Sequence, residues 1–209
     1  RQRTMLVNAL RGHLAEFGIV ARQGNTGMGA LIALVEDEDN DLLPDLARAA
    51  LLSLVEQLHE VHEKVGEMDL RIHRWHRTNE LSRRLETIPG IGPITASAIT
   101  ATVTDVSLFK SGRQLAAWLG LVPRQSSSGG KERLGRISKQ GDRYIRRLLI
   151  VGAQAVLRYS CKAGAASTRW AAHMLMNKPR NVVAVALANK MARIVWALMT
   201  TGKRFEATT

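Results

Sequence analysis

The feature that most constrains the fold of this 209-residue chain is an apolar repeat whose spacings alternate between three and four residues. Its members are Leu51, Leu54, Leu58, Val61, Val65, Met68, Ile72 and Trp75. This is the a/d seam of a heptad pattern, and it predicts one helix from about Leu42 to Asn79. A helix of that length needs a partner along its stripe, either the first helix of the chain folded back or the same helix in a second subunit. The pattern favours coiled-coil pairing of one of these two kinds over an amphipathic helix packed only on its own domain, and we expect a homodimer or larger homo-oligomer.

Most of the remaining sequence also predicts helices. Residues 1–18 place Leu6, Leu10, Leu14 and Phe17 on one face of a helix. The glycine-rich stretch 21–29 predicts a loop, followed by a short helix over 30–35 and an acidic connector over 36–41. The segment 140–203 reads as three helices. We therefore expect a mainly α protein with two domains, a helical coiled-coil region at 1–80 and a compact domain at 81–209. The chain begins without Met and inside a predicted helix, which suggests that a preceding segment has been removed.

Charge is distributed unevenly along the chain. Residues 1–104 contain 11 Lys and Arg against 14 Asp and Glu, whereas residues 105–209 contain 19 against 4. An excess of positive charge confined to one half indicates where a phosphate backbone would dock. A basic protein without a nucleic-acid role is the plainer alternative.

Several sequence features bear on the cellular compartment of the protein and on whether it binds a membrane or a metal. Asn189, Lys190 and Arg193 interrupt the apolar run from Val182 to Met199, so we expect a core helix and no membrane partner. The single cysteine, Cys161, fits a reducing cytoplasm. The histidine pairs on the long helix, including His76, are interpreted as surface residues, and no metal site is expected in the chain.

A second pattern, LETIPGIGPITASAI over 85–99, resembles the helix-hairpin-helix motif, which we place at 85–104. Gly90 and Gly92 would let the turn present amide N–H groups and a helix N-terminus to a phosphate. The motif lacks the Lys or Arg that often follows the hairpin. Phosphate contact and a purely structural hairpin are therefore equally compatible with it.

A serine-rich loop, placed at 121–139, is surrounded by positive charge. Eight basic residues stand against two acidic ones between Arg124 and Arg147, and three consecutive serines precede two glycines. Small residues allow a phosphate to approach closely, and cations offset charge that develops on it. Composition alone favours a phosphate-binding loop without chemistry.

The strings LGLVPRQSSSGGKERLGRISKQGDRYIRRLL and KPRNVVAVALANKMARIVWALM resemble the C-terminal domain of the DEDD/serine-type insertion-sequence transposases. This family is related to the Piv site-specific invertases and acts as bridge-RNA-guided recombinases. The opening RQRTMLVNALRGHLAEFGI resembles the segment that follows the catalytic N-terminal domain of the family. The resemblance covers nearly the whole chain, and its most specific part is the serine loop.

The resemblance implies that Ser128 is the nucleophile that attacks DNA, with Ser127 as the second choice and Ser126 less favoured. The reaction would cleave and rejoin strands through a phosphoseryl intermediate. Eight basic residues would contact phosphates, together with Gly90 and Gly92. They are Arg124, Lys131, Arg133, Arg136, Lys139, Arg143, Arg146 and Arg147.

The family also implies partners beyond these residues. Its RuvC-like domain holds Mg²⁺ on four acidic residues, and we expect that domain to be missing, so that this chain alone is inactive. The expected partners are DNA, a structured guide RNA and a second copy of the chain. The alternative from a different class is a non-catalytic helix-hairpin-helix module that binds DNA or RNA. An RNA-binding assembly factor also fits the charge.

Overall fold

The computed structural model describes residues 1–125, 134–159 and 166–206. Helices dominate these residues, which confirms the mainly α expectation. The first compact unit is Arg1–Arg71 and the second is Ile72–Thr209, so the division falls within the long helix. The helices are α1 Gln2–Glu16, α2 Asn25–Glu36, α3 Asp45–Thr78, α4 Glu80–Glu86, α5 Pro93–Thr102, α6 Gly112–Trp118, α7 Arg143–Tyr159, α8 Ala166–Asn177 and α9 Arg180–Thr201.

The first unit packs α1, α2 and the N-terminal part of α3 around one apolar cluster. The predicted face of α1 is buried at Leu6, Leu10 and Leu14, whereas Phe17 is exposed. The loop predicted over 21–29 is shorter than expected, because α2 already begins at Asn25. From α3, the fully buried members of the cluster are Leu51, Val55 and Leu58.

A buried arginine ties the end of α2 to α3. Arg48 is only 8% exposed, and its guanidinium donates to the carbonyl oxygens of Leu34, Val35, Asp37 and Asn40. These carbonyls lie at and just beyond the C-terminus of α2, where a cation is favourable because it satisfies unpaired acceptors and opposes the negative end of the helix dipole.

The second unit is built around α9. The apolar face of α9 is buried against α7, α6, α4 and α8, and it forms the centre of the larger core cluster. The buried residues of α9 are Val183, Ala184, Leu187, Ala188, Met191, Ala192, Val195 and Leu198. By length and apolar composition α9 is the one helix among the described residues that could cross a membrane, and in this fold it is the core helix that the sequence predicts.

Local signals in the sequence set the ends of several helices. The side chain of Asn79 accepts from the Ser82 amide at the start of α4, and Ser111 caps α6 in the same way. Pro93 occupies the first turn of α5. The last helix, α9, ends at Gly202 in the left-handed conformation (φ 71°). A short 3-10 helix, Val106–Leu108, lies between α5 and α6.

Candidate nucleic-acid interface

Two antiparallel strands form the base of the serine loop. The strand β1 (Pro123–Gln125) pairs with β2 (Leu134–Ile137), with Pro123 opposite Ile137 and Gln125 opposite Leu134. The backbone of Ser138 extends the pairing by donating to the Val122 carbonyl at 2.9 Å. The irregular insertion expected at this point is thus anchored by a short hairpin. Its connecting residues lie outside the described part of the chain, and with them the predicted site residues Ser126, Ser127, Ser128, Lys131 and Arg133.

The described strands carry exposed cations. Arg124, Arg136 and Lys139 are all exposed. The guanidinium of Arg124 donates to the carbonyl of Ser138 at 3.3 Å, which holds it across the hairpin. Arg124 and Arg136 thus lie on the two strands that lead into the serine segment, whereas Lys139 follows β2 at the opposite end of the hairpin, where its amide donates to the Gly120 carbonyl at 3.1 Å.

The segment after β2 is fixed against the end of α6. Gly120 (φ 69°) and Gly141 (φ 74°) both have left-handed backbones. A Cβ on Gly120 would lie 2.2 Å from the Gln140 oxygen, and one on Gly141 would lie 1.8 Å from the Trp118 oxygen. Only glycine fits either position, because the two backbones are in direct contact. This contact sets the position of the hairpin base relative to α6.

The three arginines at the start of α7 are not equivalent. Arg143 and Arg147 are exposed, as phosphate binding requires. Arg146 is only 8% exposed, and its Nη1 donates to the carbonyls of Leu119 at 3.0 Å and Gln140 at 2.8 Å. The phosphate role predicted for Arg146 is therefore corrected: this guanidinium satisfies buried carbonyls and supports the α6 end.

The turn over 87–92 joins α4 to α5, and its two glycines have different surroundings. Gly90 (φ 88°) packs on α7 so closely that a Cβ would meet the Gly152 oxygen at 2.8 Å, and a Cβ on Gly152 would meet the Gly90 oxygen at 2.0 Å. Gly92 is exposed, precedes the first turn of α5 and has open space around it. The close approach gives Gly90 a structural role, and phosphate contact by Gly90 or Gly92 stays a prediction.

A polar chain that is buried except at Glu86 links α3, α4 and α5. The His76 ring lies 2.8 Å from the Ser82 hydroxyl and 2.8 Å from a Glu86 carboxylate oxygen, and Ser82 lies 3.4 Å from the Ser97 hydroxyl. His76 is 4% exposed, so its interpretation as a surface residue was wrong. Although Glu, His and Ser occur in series here, Ser82 is completely buried, and no substrate can reach its hydroxyl. The chain is an internal network that fastens the end of α3 to the hairpin helices.

Two of the four acidic residues after Val103, Asp105 and Asp142, cap helices. Asp105 caps the 3-10 helix, and the donated hydrogen bonds from the Ser107 hydroxyl and amide lower the pKa of its carboxyl group. Asp142 accepts from the Ile145 amide at 2.7 Å at the start of α7. Within residues 1–125, 134–159 and 166–206, no three His, Cys, Asp or Glu side chains are grouped as a metal site requires.

A groove of about 1470 Å³ lies between the hairpin, the start of α6 and one face of α9. Its apolar wall includes Leu121, Ile150, Val182 and Val185. Five cationic residues also line it, and none of its described lining residues is acidic. The five are Arg113, Arg136, Lys139, Lys190 and Arg193.

The positions of the groove walls are fixed by hydrogen bonds from α9. The Asn189 amide donates to the Leu121 carbonyl at 3.2 Å, just before β1. The Trp196 indole donates to the Phe109 carbonyl at 2.9 Å. Trp170 and Trp196 are half-buried and pack on the core, as expected, but both also line the groove. The Lys190 ammonium lies 5.0 Å from the centre of the Trp170 ring, within range of a cation–π interaction.

Sequence reasoning missed the α9 side of this groove, although the signal was present. Asn189, Lys190, Arg193 and Ala197 lie three, four, seven and eleven residues after Ala186, so the five share one face of α9, and all line the groove. The same interruptions were used only to argue against a membrane span. A polar stripe within an otherwise apolar helix also marks the face that does not enter the core.

The chain matches known proteins along most of its length. Residues 82–171 match the model of the Transposase IS116/IS110/IS902 family. The chain is 46% identical over 200 residues to a probable family 20 transposase of Pseudomonas aeruginosa, an alignment that covers 95% of the chain and 59% of that relative.

Two further relatives extend the comparison. The transposase for insertion sequence element IS1111A of Coxiella burnetii is 38% identical over 96% of the chain and 55% of its own length. The pilin gene-inverting protein of Moraxella bovis is 26% identical over 85% of the chain and 58% of its own length. The chain thus spans between half and two thirds of the length of these relatives. Over residues 82–171 it is similar to the transposase domain of the IS116/IS110/IS902 family.

Proposed function

We propose that this chain supplies the DNA-attacking serine of a transposase or site-specific recombinase. The observation that carries the proposal is the arrangement of Arg124, Arg136 and Lys139 at the base of the hairpin that leads into the Ser126–Ser128 segment. The names of the relatives, which are transposases and a gene-inverting protein, support DNA strand exchange as the reaction.

The proposed step is a transfer of one phosphodiester linkage. The Ser128 oxygen attacks the phosphorus and loses its proton to solvent, the bond from phosphorus to the 3′ oxygen breaks, and the departing 3′ oxygen takes up a proton. The product is a phosphodiester between Ser128 and the 5′ oxygen of the downstream piece of the strand, and the upstream piece leaves with a free 3′ hydroxyl. A second 3′ hydroxyl reverses the step on the serine ester, so the strand is rejoined without an external energy source. The cations at the hairpin base offset negative charge on the attacked phosphate.

The Mg²⁺ that the family resemblance implies does not fit the described side chains. Asp105 and Asp142 act as caps, and the described residues contain no group of three possible ligands. We therefore derive no step through a metal from these residues. The proposal assigns Mg²⁺ to a four-acid site outside the 209 residues and expects the chain by itself not to cleave DNA.

Three partners belong to the same proposal. DNA binds through the positive charge of residues 105–209, and a structured RNA directs the choice of site. A second copy of the chain pairs along the α3 seam, since Val65, Met68 and Trp75 are exposed. Such a protein acts in the cytoplasm at the nucleoid. If strand exchange by the complete protein is unchanged after ribonuclease treatment and repurification, the guide-RNA part of the proposal is wrong.

The proposal is tested with protein of the relatives' full length and a labelled DNA that traps cleaved strands. Wild type should form a covalent protein–DNA adduct on a denaturing gel, and Ser128→Ala should abolish it while DNA binding is retained. Ser126→Ala and Ser127→Ala are the matched controls and should preserve the adduct. Normal adduct yield from Ser128→Ala would contradict the assignment. Loss of the adduct only in Ser127→Ala would assign the nucleophile to Ser127 instead. The absence of an adduct from wild type would favour the alternative function, a non-catalytic module that binds DNA or RNA.

A further inference from the structure

We propose that the groove between the hairpin and α9 binds unpaired nucleotides of a DNA strand, with the bases on its apolar wall and the phosphates on its cationic rim. The inference deepens the proposed function, on which its link to the serine loop depends. The lining residues from which the inference is argued are all described ones.

The size and lining of the groove indicate a polymer ligand. At about 1470 Å³ it exceeds the roughly 300–1,000 Å³ of most small-molecule sites. Val182, half-exposed on α9, lies on its wall beside Val185 and Ile150. An apolar surface of this kind on a soluble unit marks a binding surface.

Charge selects nucleic acid over an apolar peptide or a second protein copy. The five cationic lining residues face no described acidic residue within the groove. None of them is in either of the two ion pairs found in the described part of the chain, which are His76–Glu86 and Arg84–Glu80. These cations have no carboxylate partner among the described residues and surround an apolar wall. Such a lining suits nucleic acid, whose phosphates are anionic and whose base faces are apolar.

Unpaired bases fit this combination better than a duplex does. In a double helix the base faces are stacked on one another, and the surface presented to protein is phosphate and groove edge. An unpaired strand exposes its π faces, and proteins that bind such strands combine a positive groove with aromatic side chains. Trp170 and Trp196 both line this groove.

The position of the groove gives it a role in the reaction. Pro123 of β1 and Arg136 and Ile137 of β2 belong to its lining, so both strands of the hairpin form one wall. A strand held there lies beside the two ends from which the serine segment departs. Unpairing a few nucleotides of the duplex at this point would expose one phosphodiester to the serine.

The test measures binding of the 209-residue chain to labelled oligonucleotides of about a dozen nucleotides, a length within known single-strand site sizes. The probes are a single strand, its duplex, the RNA of the same sequence and a single strand whose central nucleotides are abasic. The single strand should bind at least about tenfold more tightly than the abasic strand, since stacking is the interaction removed. Equal affinity for these two probes would overturn the proposal.

A matched pair of double variants locates the site. Lys190→Gln with Arg193→Gln should weaken single-strand binding by about tenfold or more and abolish the preference over the abasic strand. Arg143→Gln with Arg147→Gln removes the same charge outside the groove and should preserve that preference. Thermal unfolding verifies that both variants fold, and Trp170→Leu should reduce the preference without any change of charge. A preference that survives both Lys190→Gln with Arg193→Gln and Trp170→Leu would place base binding elsewhere.

The failure of this inference is distinguishable from failure of the proposed function. Single-strand binding requires no cleavage, so Ser128→Ala should bind all four probes as wild type does. In one outcome, the covalent adduct depends on Ser128 while Lys190→Gln with Arg193→Gln and Trp170→Leu both bind the single strand as wild type does. In that case the proposed function holds and the groove assignment is wrong. Tighter binding of RNA than of DNA by the groove would also contradict it, since the occupant would then be RNA.

Discussion

The two longest helices, α3 and α9, both carry apolar stripes, yet they use them in opposite ways. In α9 the apolar face is buried throughout and the polar interruptions line a groove. In α3 the stripe is buried at Leu51 and Leu58 but exposed at Val65, Met68 and Trp75. Helical spacing therefore tells which residues share a face, but the rest of the fold decides whether that face is covered. The surface that we propose as functional is the polar interruption in α9 and the exposed continuation of the apolar stripe in α3.

The largest difference should appear within the α3 seam itself. Leu58→Ala should lower the free energy of unfolding by about 3 kcal/mol, because it leaves a cavity in the core of the first unit. Met68→Ala, on the same seam but half exposed, should change it by less than about 0.5 kcal/mol in the monomer. Urea unfolding followed by circular dichroism measures both. Equal losses would mean that the two parts of the seam do not differ in packing.

The arginines of α7 offer a second contrast. Arg146→Ala should cost about 2 kcal/mol of unfolding free energy, because the carbonyls of Leu119 and Gln140 lose their buried donor. Arg143→Ala, its exposed control, should be nearly neutral in the same urea titration. A neutral Arg146→Ala would return this residue to the candidates for phosphate binding.

Self-association tests the exposed continuation of the stripe. Val65→Lys with Met68→Lys should weaken dimerisation by at least about tenfold, or 1.4 kcal/mol, because lysine replaces apolar contacts at the interface. Leu70→Lys is the control, since Leu70 is equally exposed but lies off the seam. Light scattering across a concentration series gives the mass of each variant. A wild-type chain that stays monomeric, or equal weakening by Leu70→Lys, would rule out pairing along the seam.

The smallest expected effect is on the salt dependence of DNA binding. Each exposed arginine that contacts a phosphate adds about one to the slope of log K against log salt concentration. Arg143→Ala with Arg147→Ala should therefore reduce the slope by about two, as measured by fluorescence anisotropy of duplex DNA. Arg74→Ala with Arg77→Ala removes two exposed arginines from α3 and should leave the slope unchanged. An unchanged slope in the α7 variant would remove its arginines from the DNA interface.

Periodicity predicted the elements well but not every contact between them. The long helix and the three C-terminal helices were expected and are present. Arg146 was misassigned, although it stands three, seven and eleven residues before the buried Leu149, Ala153 and Leu157 and so shares their face. Its position in a basic run concealed that spacing.

Other features depend on residues far apart in sequence. His76 is buried because Ser82 and Glu86 happen to satisfy both ring nitrogens, which no local pattern reveals. The contact between Gly90 and Gly152 is equally non-local, since each glycine is needed only because the other backbone lies against it. The groove requires α9 to lie beside the hairpin, whereas the sequence analysis treated these segments separately.

The most direct test of the central claim identifies which atom holds the DNA. Protein of full length is allowed to form its adduct, the DNA is digested to a short remnant, and trypsin cleaves after Arg124 and Lys131. The released peptide, residues 125–131, contains Ser126, Ser127 and Ser128 together. Fragmentation in the mass spectrometer should place the nucleotide remnant on Ser128. A remnant on Ser126 or Ser127, or on any residue outside this peptide, would contradict the assignment of the nucleophile.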